Sequence, residues 1–464
     1  MATDIRFESN DNANDDQQQP LLGFSNPGVE NDAEERLSSV SSLSARSSVK
    51  KESSTTYGTV TFLKCLIGTG ILALPYVINA VGVLPAWILL LTIGYLNLYV
   101  MQLIHKVATQ LGLVKVDVGQ LALKVTNSQG FRYFSEINLL IVQIGTVTAA
   151  VIFILEYLEE ISCYLGWSAI CGHKAVQFGL ILVFLLPAAT ITDLHYLAVP
   201  NMVALCFQCT LFVVFIFTSI QIMSTEGISN GGFRASINRF NVSSLPVAFA
   251  TMLYAYEGVG VLLEVRTSVA ESKKFDTVLY SAFIVSTIAY TFFGSVGALA
   301  YGDASQSIIF LSMDNTNKFL LIVEFGYIMA LILGMPSNLF PVSRLIENYS
   351  FFKKFIMDKA TGQKSKIKRQ MVRLPMALFI CAIAAVVPSF GSFLSLLGGC
   401  NFVILCFVFP VIIYYYHFRE DPNRRGEFIV NWIIMAVGII LGIIAVVQSV
   451  ISMVQAEETT STST

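Results

Sequence analysis

The stretch Lys64–Asn79, KCLIGTGILALPYVIN, lies inside an apolar run (residues 60–84) that is long enough to enter a bilayer. Gly68, Gly70 and Pro75 stand in the middle of that run. Inside a helix, a glycine costs about 1 kcal/mol against alanine and a proline about 3 kcal/mol. Backbone that is freed at membrane depth is tolerated only where it is buried in protein or lines a wet cavity. The stretch therefore predicts either a kinked helix that packs through small residues or a helix unwound at the Gly-x-Gly to face a ligand.

The composition indicates a membrane protein with several spans. The chain has 464 residues, of which 55% are hydrophobic and 13% charged, whereas soluble domains contain about 25% charged residues. Apolar segments that reach or approach the roughly 20 residues of a bilayer-spanning helix recur along the chain. We predict eleven spans, at residues 60–84, 85–105, 135–162, 175–191, 196–223, 243–265, 277–301, 318–346, 371–389, 392–417 and 428–454.

The polar residues divide the chain into three regions. Residues 1–56 are acidic and rich in Asn, Gln and Ser, and we expect a disordered tail there. Residues 57–454 are expected to form one all-α transmembrane domain, followed by a short tail (455–464). Lys and Arg are concentrated in the N-terminal tail and in alternate loops, which by the positive-inside rule predicts a cytosolic N-terminus and a non-cytosolic C-terminal tail.

Two features lie on the predicted non-cytosolic side. Cys163 and Cys171 flank a short loop and form a candidate disulfide pair, whereas most of the eight cysteines lie inside apolar runs. Asn241 begins a sequon, Asn-Val-Ser, and is a candidate glycosylation site close to the sixth span. The sequence has no Walker motif, zinc-ligand cluster or nucleophile elbow. We therefore expect no metal or other cofactor, and neither an enzyme nor an ATP-driven pump is favoured.

A second interruption occurs in the sixth span, where residues 254–260 read YAYEGVG. Breaks in spans one and six have the spacing of five-plus-five inverted repeats, whose discontinuous helices form a binding site near the bilayer midplane. This match favours the unwound interpretation of the first break. Free N–H groups at a half-helix N-terminus suit a carboxylate, and freed carbonyls suit an ammonium or another cation. An α-amino acid carries both groups.

The two breaks supply the candidate site residues. The substrate-binding candidates are Gly68, Thr69, Gly70, Tyr254, Tyr256 and Gly258. Glu257 is the carboxylate predicted at the centre of the breaks, and three roles are open to it: proton coupling, hydrogen bonding that holds the breaks together, and direct binding of an ammonium. Lys64 lies about one turn before the first break, where a charge is costly, so it should pair, snorkel or take part in coupling.

Four segments resemble the amino acid/auxin permease family. Residues 63–75, LKCLIGTGILALP, resemble its first-span signature, and residues 256–260, YEGVG, resemble its Phe-Glu-Gly-Ile-Gly motif. Residues 300–303, AYGD, and residues 339–348, LFPVSRLIEN, also match. The similarity is greatest to the proton-coupled amino acid transporters and the fungal vacuolar amino acid exporters, and it covers about residues 56–454.

The resemblance implies a leucine-transporter-like fold with eleven spans that moves an amino acid together with a proton, in a vacuolar, lysosomal or plasma membrane. Some proton-coupled members carry a histidine one turn before the position of Lys64, where this chain has Thr61. Since Glu257 is the acidic residue expected at the breaks, we expect neutral L-amino acids as substrates. Two alternatives stay open: an amino acid sensor with a transporter fold that signals through its N-terminal tail, and a transporter of cationic amino acids, polyamines or auxin-like acids.

Overall fold

The computed structural model describes residues 55–113, 116–190, 198–229, 232–268, 272–313, 317–357, 365–387 and 389–462. Within these ranges the chain is helical and contains no β-strand. The predicted disordered tail, residues 1–56, falls almost wholly outside the described residues.

The α-helices are numbered in chain order, and shorter 3₁₀ and π-helical segments lie between some of them. The helices are α1 (Thr55–Leu66), α2 (Leu74–Val81), α3 (Val83–Gln110), α4 (Val118–Thr126), α5 (Gln129–Tyr164), α6 (Lys174–Thr190), α7 (Ala198–Thr225), α8 (Phe233–Asn238), α9 (Leu245–Ala255), α10 (Val259–Ser268), α11 (Ser272–Tyr301), α12 (Lys318–Asn348), α13 (Ser350–Ile356), α14 (Lys366–Val386), α15 (Phe390–Leu397), α16 (Phe409–Phe418) and α17 (Arg425–Thr462).

The apolar helices make this an integral membrane protein. In the described residues, nine helical segments are long and apolar enough to cross a bilayer. The pair Gly58–Leu66 and Thr69–Val81, bent by 46°, makes a tenth candidate span if it is counted as one. The 17-residue helix Lys174–Thr190 is apolar but shorter. Every segment predicted from the sequence coincides with one of these helices.

The last helix extends beyond the predicted end of its span. We expected the last span to end at Val454, but α17 continues to Thr462. No glycine or proline follows Gly442, so the chain carries neither of the residues that commonly end a helix. The predicted C-terminal tail, residues 455–464, is therefore largely an extension of α17.

Hydrogen bonds among the loops gather one set of helix ends into a common face. Asn241 N donates to Val81 O at 3.1 Å. Asp303 Oδ1 accepts from Asn79 Nδ2 at 2.9 Å and from Arg239 Nη1 at 2.6 Å. We call this end of the molecule the Asp303 face, and it is the face predicted to be non-cytosolic.

A buried ion cluster gathers helix ends at the opposite face. Glu347 of α12 contacts Arg369 Nε at 3.0 Å and Arg373 Nη2 at 2.7 Å, and the side chains of Glu347 and Arg373 are each 1% exposed. Arg373 Nη1 also reaches Ala189 O of α6 at 3.4 Å. The cluster ties α6, α12 and α14 together at this end, the Arg373 face, which is predicted to be cytosolic.

The candidate disulfide and sequon both lie at the Asp303 face. Cys163 and Cys171 are disulfide-bonded, with their Cα atoms 4.8 Å apart. Asn241 is exposed, and its Oδ1 accepts from Ser243 N at 3.2 Å. Its glycosylation remains a prediction.

A π-helical segment, Gly398–Phe402, interrupts the span that begins with α15. Asn401 Nδ2 donates to Asn138 Oδ1 at 3.0 Å, and Asn138 Nδ2 donates to Asn401 O at 3.1 Å, so the segment is fastened to α5. A Cβ added to Gly398 would lie 1.9 Å from Ala250 O of α9. The missing side chain therefore allows the backbones of α9 and the π segment to touch, as small residues do between membrane helices.

Candidate functional site

The first break separates α1 from a 3₁₀ segment. α1 ends at Leu66, Ile67 and Gly68 are not helical, and the 3₁₀ segment Thr69–Ala73 runs directly into α2. The sequence predicted unwinding at Gly68-Thr69-Gly70, so the observed break comes slightly earlier.

Pro75 sets the hydrogen-bond pattern at the end of this 3₁₀ segment. Pro75 has no N–H to donate to Ile71 O, and Leu74 N–H bonds that carbonyl instead. This contact spans three residues rather than four, which is the pattern of a 3₁₀ helix. Pro75 itself stands in the first turn of α2, where its missing N–H is unimportant.

The second break separates α9 from α10. α9 ends at Ala255, α10 begins at Val259, and the three residues between them are not helical. The carboxylate of Glu257 accepts a hydrogen bond from Gly260 N at 3.2 Å. Glu257 therefore occupies the N-terminus of α10, where N–H groups are otherwise unpaired.

The two breaks are in direct contact. A Cβ added to Gly70 would lie 2.7 Å from Ala255 Cα and 2.9 Å from Tyr254 Cδ1. The buried hydroxyls of Thr69 and Tyr254 are hydrogen-bonded at 3.0 Å. Tyr254 also bonds the hydroxyl of Thr146 on α5. The absence of a side chain at Gly70 thus lets the two broken helices approach each other, and its role in substrate binding stays a prediction.

Gly68 is the glycine of the first break that faces open space. No described atom lies within 4 Å of the position that a Cβ would take there. Its backbone is extended, with φ −110° and ψ −153°, and no side chain caps the helical segment that starts at Thr69. Free N–H groups at that N-terminus are thus next to a gap.

The carbonyls at the ends of α1 and α9 share one donor. Tyr290 Oη lies 2.6 Å from Leu66 O and 2.8 Å from Ala255 O. A hydroxyl has a single proton, so it fully satisfies one of these carbonyls at a time. Gln208 Nε2 donates to Ile67 O at 3.0 Å.

Sequence reasoning missed both of these residues. Tyr290 of α11 and Gln208 of α7 are polar side chains inside apolar helices, and that was the available signal. Their partners lie far away along the chain, so the pairing itself could not be read from the sequence.

Two other candidates pack the second break against its neighbours. Tyr256 is fully buried and its hydroxyl donates to Thr287 Oγ1 at 2.9 Å. A Cβ added to Gly258 would lie 2.9 Å from both Leu66 Cδ2 and Met101 Cε. Tyr256 and Gly258 thus pack against α1, α3 and α11, whereas Thr69 and Tyr254 meet beside Gly68.

The charged candidates lie close to the breaks. A Cβ added to Gly260 would lie 2.8 Å from Glu257 Oε1 and 3.0 Å from Gln143 Nε2. Both side chains therefore lie against Gly260, and Gln143 of α5 is a polar neighbour of the Glu257 carboxylate. Lys64 is half-buried on α1. Among the described residues, it has no ion-pair partner.

The geometry offers complementary groups for a zwitterion. The helical N-terminus at Thr69 is uncapped beside Gly68, whereas the N-terminus of α10 already holds Glu257. The carbonyls of Leu66 and Ala255 converge nearby on Tyr290. A carboxylate can accept hydrogen bonds from the N–H groups at Thr69. Each carbonyl oxygen has two lone pairs, so an ammonium can donate to the lone pair that Tyr290 does not use.

Comparison with known proteins identifies the family of this chain. The sequence profile of the family described as transmembrane amino acid transporter protein matches residues 51–455. The amino acid transporter ANT1 of Arabidopsis thaliana is 28% identical over 365 residues, which cover 74% of this chain and 80% of that protein.

Two fungal relatives are also similar. Vacuolar amino acid transporter 4 of Saccharomyces cerevisiae is 25% identical over 410 residues, covering 82% of this chain and 55% of that protein. Vacuolar amino acid transporter 3 of Schizosaccharomyces pombe is 22% identical over 388 residues, covering 82% and 54%. The chain therefore spans about half the length of these two proteins. Because the family profile covers most of its residues, the chain belongs to the transmembrane amino acid transporter family, whose members are transporters rather than enzymes.

Proposed function

We propose that this protein is a secondary active transporter of neutral L-amino acids, driven by protons, that works by alternating access around its two broken helices. The observation that carries the proposal is the contact between the breaks, where Thr69 bonds Tyr254 beside the open space at Gly68. In this proposal α6 is a further span, which gives eleven spans arranged as a leucine-transporter-like five-plus-five repeat.

The two ends of the substrate bind to different halves of the site. The α-carboxylate accepts hydrogen bonds from the uncapped N–H groups at Thr69, where the positive end of the helix dipole favours an anion. Glu257 already fills the equivalent position on α10, so the carboxylate prefers the first break. The ammonium donates to Leu66 O and Ala255 O beside Tyr290.

The groups at the breaks favour a neutral side chain. Thr69, Tyr254 and Thr146 contribute uncharged hydroxyls. The carboxylate at the second break, Glu257, is already engaged by Gly260 N through Oε1, so we propose that it does not pair with a lysine or arginine side chain. A cationic substrate would therefore lose hydration without gaining an ion pair.

Proton coupling is proposed to act through Glu257. The ionised carboxylate is a stronger acceptor than the neutral acid, so protonation weakens its bond to Gly260 N and loosens the N-terminus of α10. This links a proton to the geometry of the second break. Lys64, one turn before the first break, is a second candidate for the coupling group.

The membrane is proposed to be that of a vacuole or lysosome. The two fungal relatives carry the word vacuolar in their names. With the basic Arg373 face in the cytosol, as the positive-inside rule predicts, the Asp303 face meets an acidic lumen.

Counterflow in liposomes tests substrate class. The purified full chain should exchange labelled L-alanine, and unlabelled L-leucine should compete better than L-lysine, L-arginine or a polyamine. A stronger competition by the cationic compounds would contradict the neutral-substrate proposal. Deletion of residues 1–50 should leave the exchange rate unchanged, whereas a protein without exchange activity that binds amino acid would be a sensor.

A further inference from the structure

Several glutamates of this protein accept hydrogen bonds from backbone N–H groups or from arginines. The pairs are Glu156 with Phe390 N, Glu257 with Gly260 N, Glu136 with Arg132, and Glu347 with Arg369 and Arg373. Each of these donors is a backbone N–H or an arginine, and each stabilises the ionised carboxylate.

Glu324 of α12 is different. Its side chain is 2% exposed, and Tyr157 donates to Oε2 at 2.6 Å. Among the described residues, Oε1 has no hydrogen-bond partner. An ionised carboxylate here would leave one oxygen bare, with a neutral tyrosine as the donor to the other, and such burial of an unpaired charge costs several kcal/mol. A proton on Oε1 removes that charge.

The charges around Glu324 also favour the neutral acid. Glu160 of α5 acts on it electrostatically and is itself an acid, while Tyr301 of α11 contributes a neutral hydroxyl. α7 contains no charged residue, and Lys174 is the one charged residue of α6. The basic residues of α13 and α14 belong to the Arg373 face, near Glu347, which is about 35 Å further along α12.

A cavity lies near Glu160, at the Asp303-face ends of α5 and α6, and its lining combines apolar and charged side chains. It has a volume of about 400 Å³ and is lined by Glu156, Glu159, Glu160 and Lys174, among others. Glu160 therefore both lines the cavity and acts electrostatically on Glu324. Water in the cavity is a source and a sink for a proton one side chain away.

Hydroxyls continue from Glu324 toward the breaks. Tyr327 follows on the same helix, is 1% exposed, and has a hydroxyl without a partner among the described residues. It interacts electrostatically with Tyr254, whose hydroxyl is bonded to Thr69. Tyr327 is thus close enough to Tyr254 to interact electrostatically with it, although no hydrogen bond joins the two hydroxyls among the described residues.

We propose that Glu324 is a proton-binding residue of the transport cycle, loaded from the cavity at the Asp303 face and linked to the substrate site through Tyr327 and Tyr254. Loading forms an O–H bond at Oε1 and neutralises the carboxylate. Unloading breaks that bond and returns the proton to water, so no other reactant is needed. The inference rests on the proposed proton-coupled function and adds to it a second acid, on α12.

Transport by the purified full chain in liposomes tests the inference. With one proton per substrate, each unit of pH gradient should support about tenfold accumulation of L-alanine. Glu324→Gln should lose this accumulation, to about onefold, yet retain measurable exchange at equal pH, which requires no net proton movement. Glu226→Gln, at an exposed position near the same face, is the matched control and should accumulate L-alanine like the wild type.

Two further measurements keep the inference testable if Glu324→Gln folds poorly. Infrared difference spectra of the wild type should show the carbonyl stretch of protonated acids, and that band should be weaker in Glu324→Gln and unchanged in Glu226→Gln. Tyr157→Phe removes the donor to the ionised form, so the pH profile of uptake should move upward by about one unit or more.

The outcomes separate the inference from the proposed function. A wild type that does not accumulate L-alanine in a pH gradient contradicts proton coupling itself. A wild type that accumulates it, together with a Glu324→Gln variant that accumulates it equally, overturns the assignment of Glu324. An infrared band of unchanged intensity in Glu324→Gln, or an unmoved pH profile in Tyr157→Phe, overturns it as well.

Discussion

Alanine should reduce stability at Gly70 and substrate affinity at Gly68. At Gly70, the new Cβ would lie 2.7 Å from Ala255 Cα and 3.0 Å from Ala255 Cβ, so backbone must move to relieve the clash. Overpacking of this kind costs about 1–3 kcal/mol, and we expect about 2 kcal/mol for Gly70→Ala. At Gly68 the Cβ meets nothing within 4 Å, and the extended backbone accepts alanine.

The assay measures both stability and exchange. In thermal unfolding of the detergent-purified protein, Gly70→Ala should have a lower midpoint and Gly68→Ala a midpoint close to the wild type. In counterflow, Gly68→Ala should raise the KM for L-alanine, because its methyl group enters the gap that we assign to the substrate. A stable Gly70→Ala variant, or a Gly68→Ala variant with an unchanged KM, would refute the division between packing and ligand-facing glycines.

Three further predictions concern side chains that join elements. Tyr290→Phe removes the hydroxyl shared by two buried carbonyls, which should lower stability by about 1–3 kcal/mol and slow L-alanine exchange; equal melting and exchange would contradict this. Glu347→Gln removes the carboxylate that Arg369 and Arg373 both contact, and it should lower the free energy of unfolding by about 3–5 kcal/mol. Arg373→Met should cost less, because Glu347 keeps its contact with Arg369. A larger loss in Arg373→Met than in Glu347→Gln would contradict the role of the ion cluster. Glu257→Gln cannot titrate and should exchange L-alanine at equal pH while losing pH-driven accumulation, and a Gln variant that still concentrates L-alanine would exclude Glu257 as the coupling group.

The positions of the spans and the breaks were predictable because both depend on local chemistry. A long apolar run predicts a helix that spans the bilayer, and a Gly-x-Gly inside such a run predicts that the helix is interrupted. The exact start of the helix after the first break was not predictable from glycines alone. Pro75 shifts the hydrogen bond at Ile71 O to Leu74, which gives the end of the segment Thr69–Ala73 a 3₁₀ pattern.

The roles of individual residues depended on contacts between distant parts of the chain. Gly68 and Gly70 are equivalent in the sequence, but Gly70 alone meets Ala255. Tyr290 is recognisable only once Leu66 O and Ala255 O are seen to converge on it.

Glu324 was overlooked for a related reason. It lies only about two turns from the start of α12, so the sequence gives no reason to separate it from an ordinary interfacial acid. Its burial follows from Tyr157 and the aromatic residues that pack around it, such as Phe153 and Tyr327.

Accumulation of labelled L-alanine against its gradient is the most direct test of proton-coupled transport. Liposomes that contain the purified full chain should concentrate L-alanine about tenfold per unit of imposed pH gradient, for one proton per substrate. Collapse of the gradient with a protonophore should return the ratio to about one. Accumulation that survives the protonophore, or a ratio that stays at one while counterflow is active, would contradict the account.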